Sequence, residues 1–197
     1  MTYTVAAHVS KSQWRTQPWK NGRGVTHEVL RSPDADDYAI RFSVAEIEGA
    51  QPFSSFAAYQ RILVPLRETT LQLAVDDAVY PMPFHDIVAW SGAARAATIG
   101  AGFAYDLNVI GQRFVASIGL RPPVWLPSES QRIAVFALEA ATLTTCATST
   151  VALATHDLVV LAPGTSPLPT QSSCALAVAA HRNVATSAPA VWVVFPA

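Results

Sequence analysis

Tyr38-Ala39-Ile40-Arg41-Phe42-Ser43-Val44-Ala45-Glu46-Ile47-Glu48 is the longest alternating run in the chain, and its period of two is that of a strand, whose successive side chains point to opposite faces. Tyr38, Ile40, Phe42 and Val44 share one face, which reads as core. Ala39, Arg41, Ser43 and Ala45 share the other. There a guanidinium and a hydroxyl stand among small residues, which suits either solvent or a cavity that a ligand can enter. Glu46 falls on the apolar parity unless the strand bulges or ends first, so its direction stays open.

Upstream lies Trp19-Lys20-Asn21-Gly22-Arg23-Gly24-Val25-Thr26-His27-Glu28, a polar loop that runs into a second alternating segment. Gly22 and Gly24 permit positive φ and close backbone approach, Asn21 can bond its own backbone, and Trp19 can anchor the loop on a core. With Val25 to Leu30 as a strand, Thr26 and Glu28 share one face and Val25, His27 and Val29 the other. The segment reads as a polar site at a strand mouth, and residue chemistry alone leaves its ligand open.

Further out, short alternating segments separated by turn residues continue to the C-terminus. Tyr3 to Val9 reads as a first strand, and Tyr59 to Leu66 with Thr69 to Val75 as a strand pair across Arg67-Glu68. Ile87 to Trp90, Ala94 to Ile99, Phe103 to Ile110 and Phe114 to Leu120 follow at the spacing of sandwiches and barrels. Residues 121–130, with Pro122, Pro123 and Pro127, are the best boundary. Beyond it Gln131 to Glu139, Thr142 to Ala152, His156 to Leu161, Cys174 to His181 and Val191 to Phe195 also read as strands. Phe84-His85-Asp86-Ile87-Val88 is echoed by Thr155-His156-Asp157-Leu158-Val159 with the His-Asp pairs 71 residues apart, which a duplicated unit would explain, as would chance for so short a pattern. No long helical period occurs. The expectation is an all-β chain of two barrel- or sandwich-like halves, 1–120 with the ligand pocket and 121–197.

Of 197 residues 51% are hydrophobic and 14% charged, with a net charge of -1, which argues for a well-buried globular protein without a bulk field for nucleic acid or an anionic membrane. Lys11 and Lys20 are the only lysines, so the basic residues are mostly arginines, which suit bidentate carboxylate recognition or reflect codon bias. No secretory signal and no stretch of about 18 apolar residues is seen. Cys146 and Cys174 define no disulfide framework or zinc site, and are expected as reduced, buried thiols of a cytoplasmic protein.

His8, His27, His85, His156 and His181 offer no i, i+2 pair that would aim two imidazoles into one barrel face, so no metal and no cofactor is expected. No Gly-x-Ser-x-Gly elbow occurs. Gly22-Arg23-Gly24 precedes a strand, whereas phosphate cradles open a helix. What remains is a polar set in the first half: Lys20, Asn21, Thr26, Glu28, Arg41, Ser43, Glu46, Arg61, Asp106, Asn108 and Arg113. It suits a small ligand bearing carboxylates and an amide or amine, or else rim salt bridges and turn bonds.

Trp19-Lys20-Asn21-Gly22-x-Gly24-x-Thr26-x-Glu28, Arg41-x-Ser43-x-Ala45-Glu46-Ile47, Pro52-Phe53-Ser54-x-Phe56, Arg61 and Asp106-Leu107-Asn108-Val109-Ile110 together resemble the HutD/Ves family, in family order. The sequence departs from the family pattern at Arg23, at Gln60 and at Arg67-Glu68-Thr69-Thr70. The resemblance implies a bicupin-like fold without the usual cupin histidines. It also implies a non-enzymatic, small-molecule-binding modulator of histidine utilisation, with a formyl- or formimino-glutamate as ligand class. On it rests the expected site of Lys20, Asn21, Thr26, Glu28, Arg41, Ser43, Glu46, Arg61 and Asn108, with a small acidic metabolite as partner. The alternative is a metal-free isomerase or hydrolase using Glu28 or Glu46 as general base and Lys20 as electrostatic partner. An exposed sheet edge would make a homodimer easy.

Overall fold

The computed structural model describes residues 3–120, 131–145, 149–164, 176–180 and 190–196. Strands are β1 (Tyr3–Val9), β2 (Arg15–Pro18), β3 (Gly24–Ser32), β4 (Ile40–Glu48), β5 (Gln60–Pro65), β6 (Gln72–Val75), β7 (Ala78–Pro81), β8 (Val88–Ser91), β9 (Ala96–Ile99) and β10 (Phe103–Gly111). They continue as β11 (Val115–Gly119), β12 (Gln131–Ala137), β13 (Ala141–Thr145), β14 (Ser149–Leu153), β15 (Leu158–Pro163), β16 (Leu176–Ala180) and β17 (Ala190–Pro196). Among the described residues the only helical element is the 3-10 turn Lys11–Gln13. None of the helices there is long and apolar enough to cross a membrane.

The chain divides into two compact units, Gln13–Arg113 on one hand and Met1–Ser12 with Phe114–Ala197 on the other. The first is built from an antiparallel sheet in the order β2-β3-β4-β10-β5-β8 and a small sheet β7-β6-β9. Between them Ala45, Ile47, Leu63, Leu71, Leu73, Met82, Trp90 and Ala104 form a core, with Trp19 and Phe53 packed against it. The second has a sheet β1-β15-β12-β17-β11 and a small sheet β14-β13-β16. Its hydrophobic core gathers around Ile133, Val135, Leu143, Leu161, Trp192 and Val194.

The strand orders β4-β10-β5-β8 and β11-β17-β12-β15 are the same when strands are counted along the chain, as are β7-β6-β9 and β14-β13-β16. The segment β4 to β10 is therefore repeated as β11 to β17, and the His-Asp echo marks equivalent turns. His85 and His156 are both left-handed, with φ of 56° and 71°. Each donates its amide across the sheet, His85 to the Pro65 carbonyl at 3.0 Å and His156 to the Ala137 carbonyl at 2.7 Å. Ile87 and Leu158 thus stand at the entrances of equivalent strands.

Four expectations are corrected. The strand 3–9 was placed in the half 1–120, but β1 pairs with β15 from Tyr3↔Pro163 to Val9↔Leu158 and Tyr3 enters the apolar core of the other unit; burying that ring outweighs proximity along the chain. Tyr59 to Leu66 and Thr69 to Val75 do not pair: β5 joins β10 and β8, whereas β6 joins β7 and β9. The single strand 142–152 is a hairpin, β13 against β14. Finally β2 pairs with β3, a strand absent from the expected set because Arg15 to Pro18 carry no apolar alternation and, exposed at all four positions, need none. The boundary 121–130, Cys146, Cys174 and His181 lie outside the described residues.

Trp192 is fully buried in the apolar core and donates its indole N–H to the Gly119 carbonyl at 2.9 Å. Replacing it by Ala should lower stability by about 3–5 kcal/mol, whereas Val79→Ala at an exposed position should change it by less than about 0.5 kcal/mol. Denaturant unfolding of the two variants checks the contrast.

Candidate functional site

Alternation along β4 directs Arg41, Ser43 and Ala45 to one face while Ile40, Phe42 and Val44 are completely buried on the other. Cross-strand pairing extends the first face into rows. Ser43 lies between Glu28 of β3 and Asn108 of β10, and Ile110 of β10 lies between Arg41 and Arg61. In β3 a bulge between Glu28 and Leu30 inserts one residue. Glu28 and Arg31, three apart, thereby share a side, and Arg31 Nε approaches Glu28 at 3.7 Å.

The Trp19 loop sits at the mouth. The Trp19 amide donates to the Gly24 carbonyl and the Gly22 amide to the Trp19 carbonyl, at 2.9 and 3.0 Å. Gly22 has φ of 71°, and a Cβ on Gly24 would lie 2.6 Å from the Trp19 ring. The indole N–H is spent on the Thr26 hydroxyl at 2.8 Å. Asn21 accepts from the Arg23 amide and donates to the side-chain oxygen of Gln51 at 2.9 Å, so the loop is tied to the segment that follows β4.

Loop and sheet enclose a cavity of about 460 Å³ lined by Lys20, Asn21, Thr26, Arg41, Ser43, Arg61 and Asn108, with Gln17, Phe53 and Phe56 among the others. A second chamber of about 380 Å³ shares Gln17, Thr26, Arg41 and Phe56 with it and adds Arg15, Glu28, Arg31 and Tyr38. Seven of the nine expected site residues therefore line the first chamber, and Glu28 lines the second. Glu46 does not belong to either. Without a bulge in β4 it keeps the parity of Val44, is largely exposed, and meets His27 Nε2 at 3.0 Å; the Nδ1 of His27 lies 2.9 Å from the Thr16 hydroxyl. Arg113 is exposed outside both chambers.

Arg61 forms the floor. It is 4% exposed and donates to the Ser54 carbonyl at 3.0 Å and to Asn108 Oδ1 at 3.2 Å. The rings of Phe53, Phe56 and Trp90 surround its guanidinium at 4.9, 5.4 and 4.9 Å. Burial pushes its pKa down to about 10, with nearby Arg41 acting the same way and Tyr38 opposing, so it is a cation at neutral pH. No carboxylate pairs with it among the described residues, and its Nε has no hydrogen-bond partner there. Phe53 and Phe56 are the walls of this cage. Their spacing in Pro52-Phe53-Ser54-x-Phe56 was visible; what they would face was not.

Arg41 is different. Its Nε donates to Glu28 at 2.7 Å, and Arg15 reaches the other oxygen of that carboxylate, also at 2.7 Å. With Arg31, three guanidiniums share Glu28, and Arg15 and Arg31 continue outward to Asp34. Arg15 and Arg31 were missed because β2 and the bulge were not foreseen. Among the described residues no three His, Cys, Asp or Glu side chains gather as a metal site would.

The register also shows what occupies the same places in the repeated unit. Arg61 lies across from Trp90 and Ile110, as Ile133 does from Leu161 and Val194; Asn108 corresponds in this way to Trp192, Arg41 to Val115 and Asp106 to Ala190. Gln60-Arg61-Ile62 recurs as Gln131-Arg132-Ile133, yet the ladder is displaced by one residue and puts the isoleucine where Arg61 would be. One copy is polar and hollow where the other is filled by a tryptophan.

These features decide the comparison with known proteins, for the HutD family model matches residues 11–181. The chain belongs to the HutD family. Membership links it to histidine utilisation, and a Pseudomonas putida protein described as an uncharacterized 21.2 kDa protein in the hutC 3′ region is 37% identical over 97 residues. That match covers 47% of this chain and 51% of the relative, so the chain spans about half the length of the curated relative it matches. The crystal structure of the conserved protein of unknown function PA5104 from Pseudomonas aeruginosa PAO1 is similar with a TM-score of 0.74 at 24% identity, covering 96% of this chain and 97% of the other. HutD from Pseudomonas fluorescens SBW25 (formate condition) gives 0.72 at 19%, covering 97% and 98%. At these identities the likeness is one of fold, the all-β, bicupin-like architecture of two halves.

Asp106, on the same face as Asn108, is completely buried, and neither carboxylate oxygen has a hydrogen-bond partner among the described residues. Burial alone raises its pKa from 3.8 to about 8. The folded state then keeps a proton that the unfolded chain loses, so stability falls as pH rises from about 4 towards 8 and levels off above. Asp106→Asn should remove this dependence, and its advantage over the unsubstituted protein should grow by at most about 1.4 kcal/mol per pH unit across that window. Urea unfolding at pH 5, 6, 7 and 8 measures it.

Proposed function

We propose that this HutD-family protein binds a small acidic metabolite without transforming it, and thereby modulates histidine utilisation. The observation that carries the reading is Arg61: a desolvated cation at the floor of a cavity, with no carboxylate among the described residues to neutralise it and an Nε–H without a partner there. Burying an unpaired charge is costly, and a ligand carboxylate supplies the missing partner. A cavity of this size is in the range of small-molecule sites. Lys20 at the mouth, Asn21, Thr26, Ser43 and Asn108 offer further donors and acceptors around it. With histidine utilisation as the family link, a formyl- or formimino-glutamate is the ligand class that fits the charge pattern.

The enzymatic alternative needs a carboxylate free to take a proton. Glu28 is engaged by three guanidiniums and Glu46 is paired with His27 away from both chambers, so neither is placed for that role.

Calorimetric titration with formylglutamate, formiminoglutamate, urocanate and glutamate tests the assignment. Micromolar binding of at least one formyl or formimino compound is expected, and Arg61→Ala or Arg41→Ala should weaken it by about 1.5–3 kcal/mol, the worth of a charge-assisted hydrogen bond. Millimolar or weaker binding of all four compounds, or unchanged affinity in both variants, would overturn the assignment.

A further inference from the structure

The two chambers share Gln17, Thr26, Arg41 and Phe56, so a ligand with two charged ends can address both. Their combined charge is unequal. Lys20, Arg41 and Arg61 line the first, Arg15, Arg31 and Arg41 the second, and among the described residues Glu28 is the only acidic one lining either. Both oxygens of Glu28 are already taken, Oε2 by Arg41 at 2.7 Å and Oε1 by Arg15 at 2.7 Å with Arg31 at 3.7 Å. Asp34, which meets both Arg15 and Arg31, is 59% exposed, and Asp36, which meets Arg31 at 3.3 Å, is fully exposed; both face water outside the chamber lining.

From this arrangement we infer that the site is specific for dianions that carry no ammonium group, one carboxylate on Arg61 and the second on the arginine cluster beyond Arg41. The inference rests on the binding reading above and narrows it to the formyl compound, because a formimino group is an amidine that is cationic at neutral pH. An ammonium would have to enter a space lined by five cations, where the one carboxylate among the described lining residues already serves three guanidiniums, so repulsion and desolvation both oppose it. A neutral N-acyl group in its place meets no such cost, and Asn108, Asn21 and Ser43 can bond its carbonyl and N–H. The second carboxylate gains from a cluster whose arginines are pre-placed by Glu28, so little ordering is needed at binding. A monocarboxylate uses the first chamber only.

Four probes separate the parts of this statement: glutarate, N-formylglutamate, L-glutamate and butyrate, titrated calorimetrically at one pH and salt concentration. Glutarate and N-formylglutamate should bind at least 10-fold more tightly than L-glutamate and than butyrate. Arg31→Gln and Arg15→Gln, both confined to the second chamber, should lower the affinity for glutarate and N-formylglutamate at least 10-fold and leave butyrate unchanged. L-glutamate binding within 3-fold of glutarate would overturn the exclusion of ammonium, and equal losses for butyrate and glutarate in the arginine variants would overturn the assignment of the second carboxylate. Failure of all four probes to bind would instead remove the acidic-metabolite reading itself. Should either variant fold poorly in a thermal melt, the ranking of the four probes on the unsubstituted protein still decides the inference.

Discussion

A guanidinium that loses its water must find other partners, and among the described residues Arg61 finds two neutral oxygens and three aromatic faces but no anion. Each aromatic contact is worth about 0.5–2 kcal/mol, and a neutral acceptor satisfies an N–H without cancelling the charge. The surroundings keep this cation uncompensated. Asn108 stands where a carboxylate would neutralise it, and Asp106, on the same face two residues away, is held protonated by burial. The walls of the cavity follow from that requirement: Phe53 and Phe56 come from the loop after β4, Trp90 from β8, and each is also part of the packing that closes this unit.

Duplication explains how such a cavity can exist in a small β unit. Two copies of the same seven-strand pattern supply two interiors, and a filled apolar interior is the ordinary source of stability. The copy with Ile133 and Trp192 has that source in full. Its counterpart gives up part of it, with arginine for isoleucine and asparagine for tryptophan. It also carries the added hairpin of β2 and β3, whose loop roofs the space. The division of labour is written in individual positions rather than in the fold, which is why a fold likeness alone identifies neither copy as the binding one.

Much of this was legible in sequence because alternation is a local property. The face assignments of β4 hold from Ile40 to Glu48, and the polar loop with its glycines sits at the strand mouth as its composition demands. Bulges were not legible. The extra residue in β3 leaves no sequence mark beyond a valine among other apolar residues, yet it decides that Arg31 joins Glu28. Glu46 failed for the complementary reason: a bulge was entertained where the strand is regular. β2 was invisible because an exposed edge strand needs no apolar face, and the pairing of β5 with β10 instead of β6 is a long-range choice that a turn at Arg67-Glu68 does not encode. The displaced Gln-Arg-Ile echo is instructive in the same way, since equal spacing in sequence and equal position in the ladder differ by one residue, and one residue exchanges the two faces of a strand.

Glu28 shows how the role of a carboxylate is set by its neighbours. Alone on the chamber wall it would be a general base in waiting, and the residue type permits nothing narrower. Three arginines brought to one place repel one another, and side chains of that length would swing into solvent unless something held them. A single carboxylate with both oxygens engaged does so at minimum charge, leaving the wall positive while fixing where each guanidinium stands. The same bonds that organise the arginines turn both oxygens towards guanidiniums, where a proton donor would have to compete for them. A residue in this position serves either as anchor of a cationic cluster or as a proton acceptor, and the distances of 2.7 Å on both of its oxygens select the anchor.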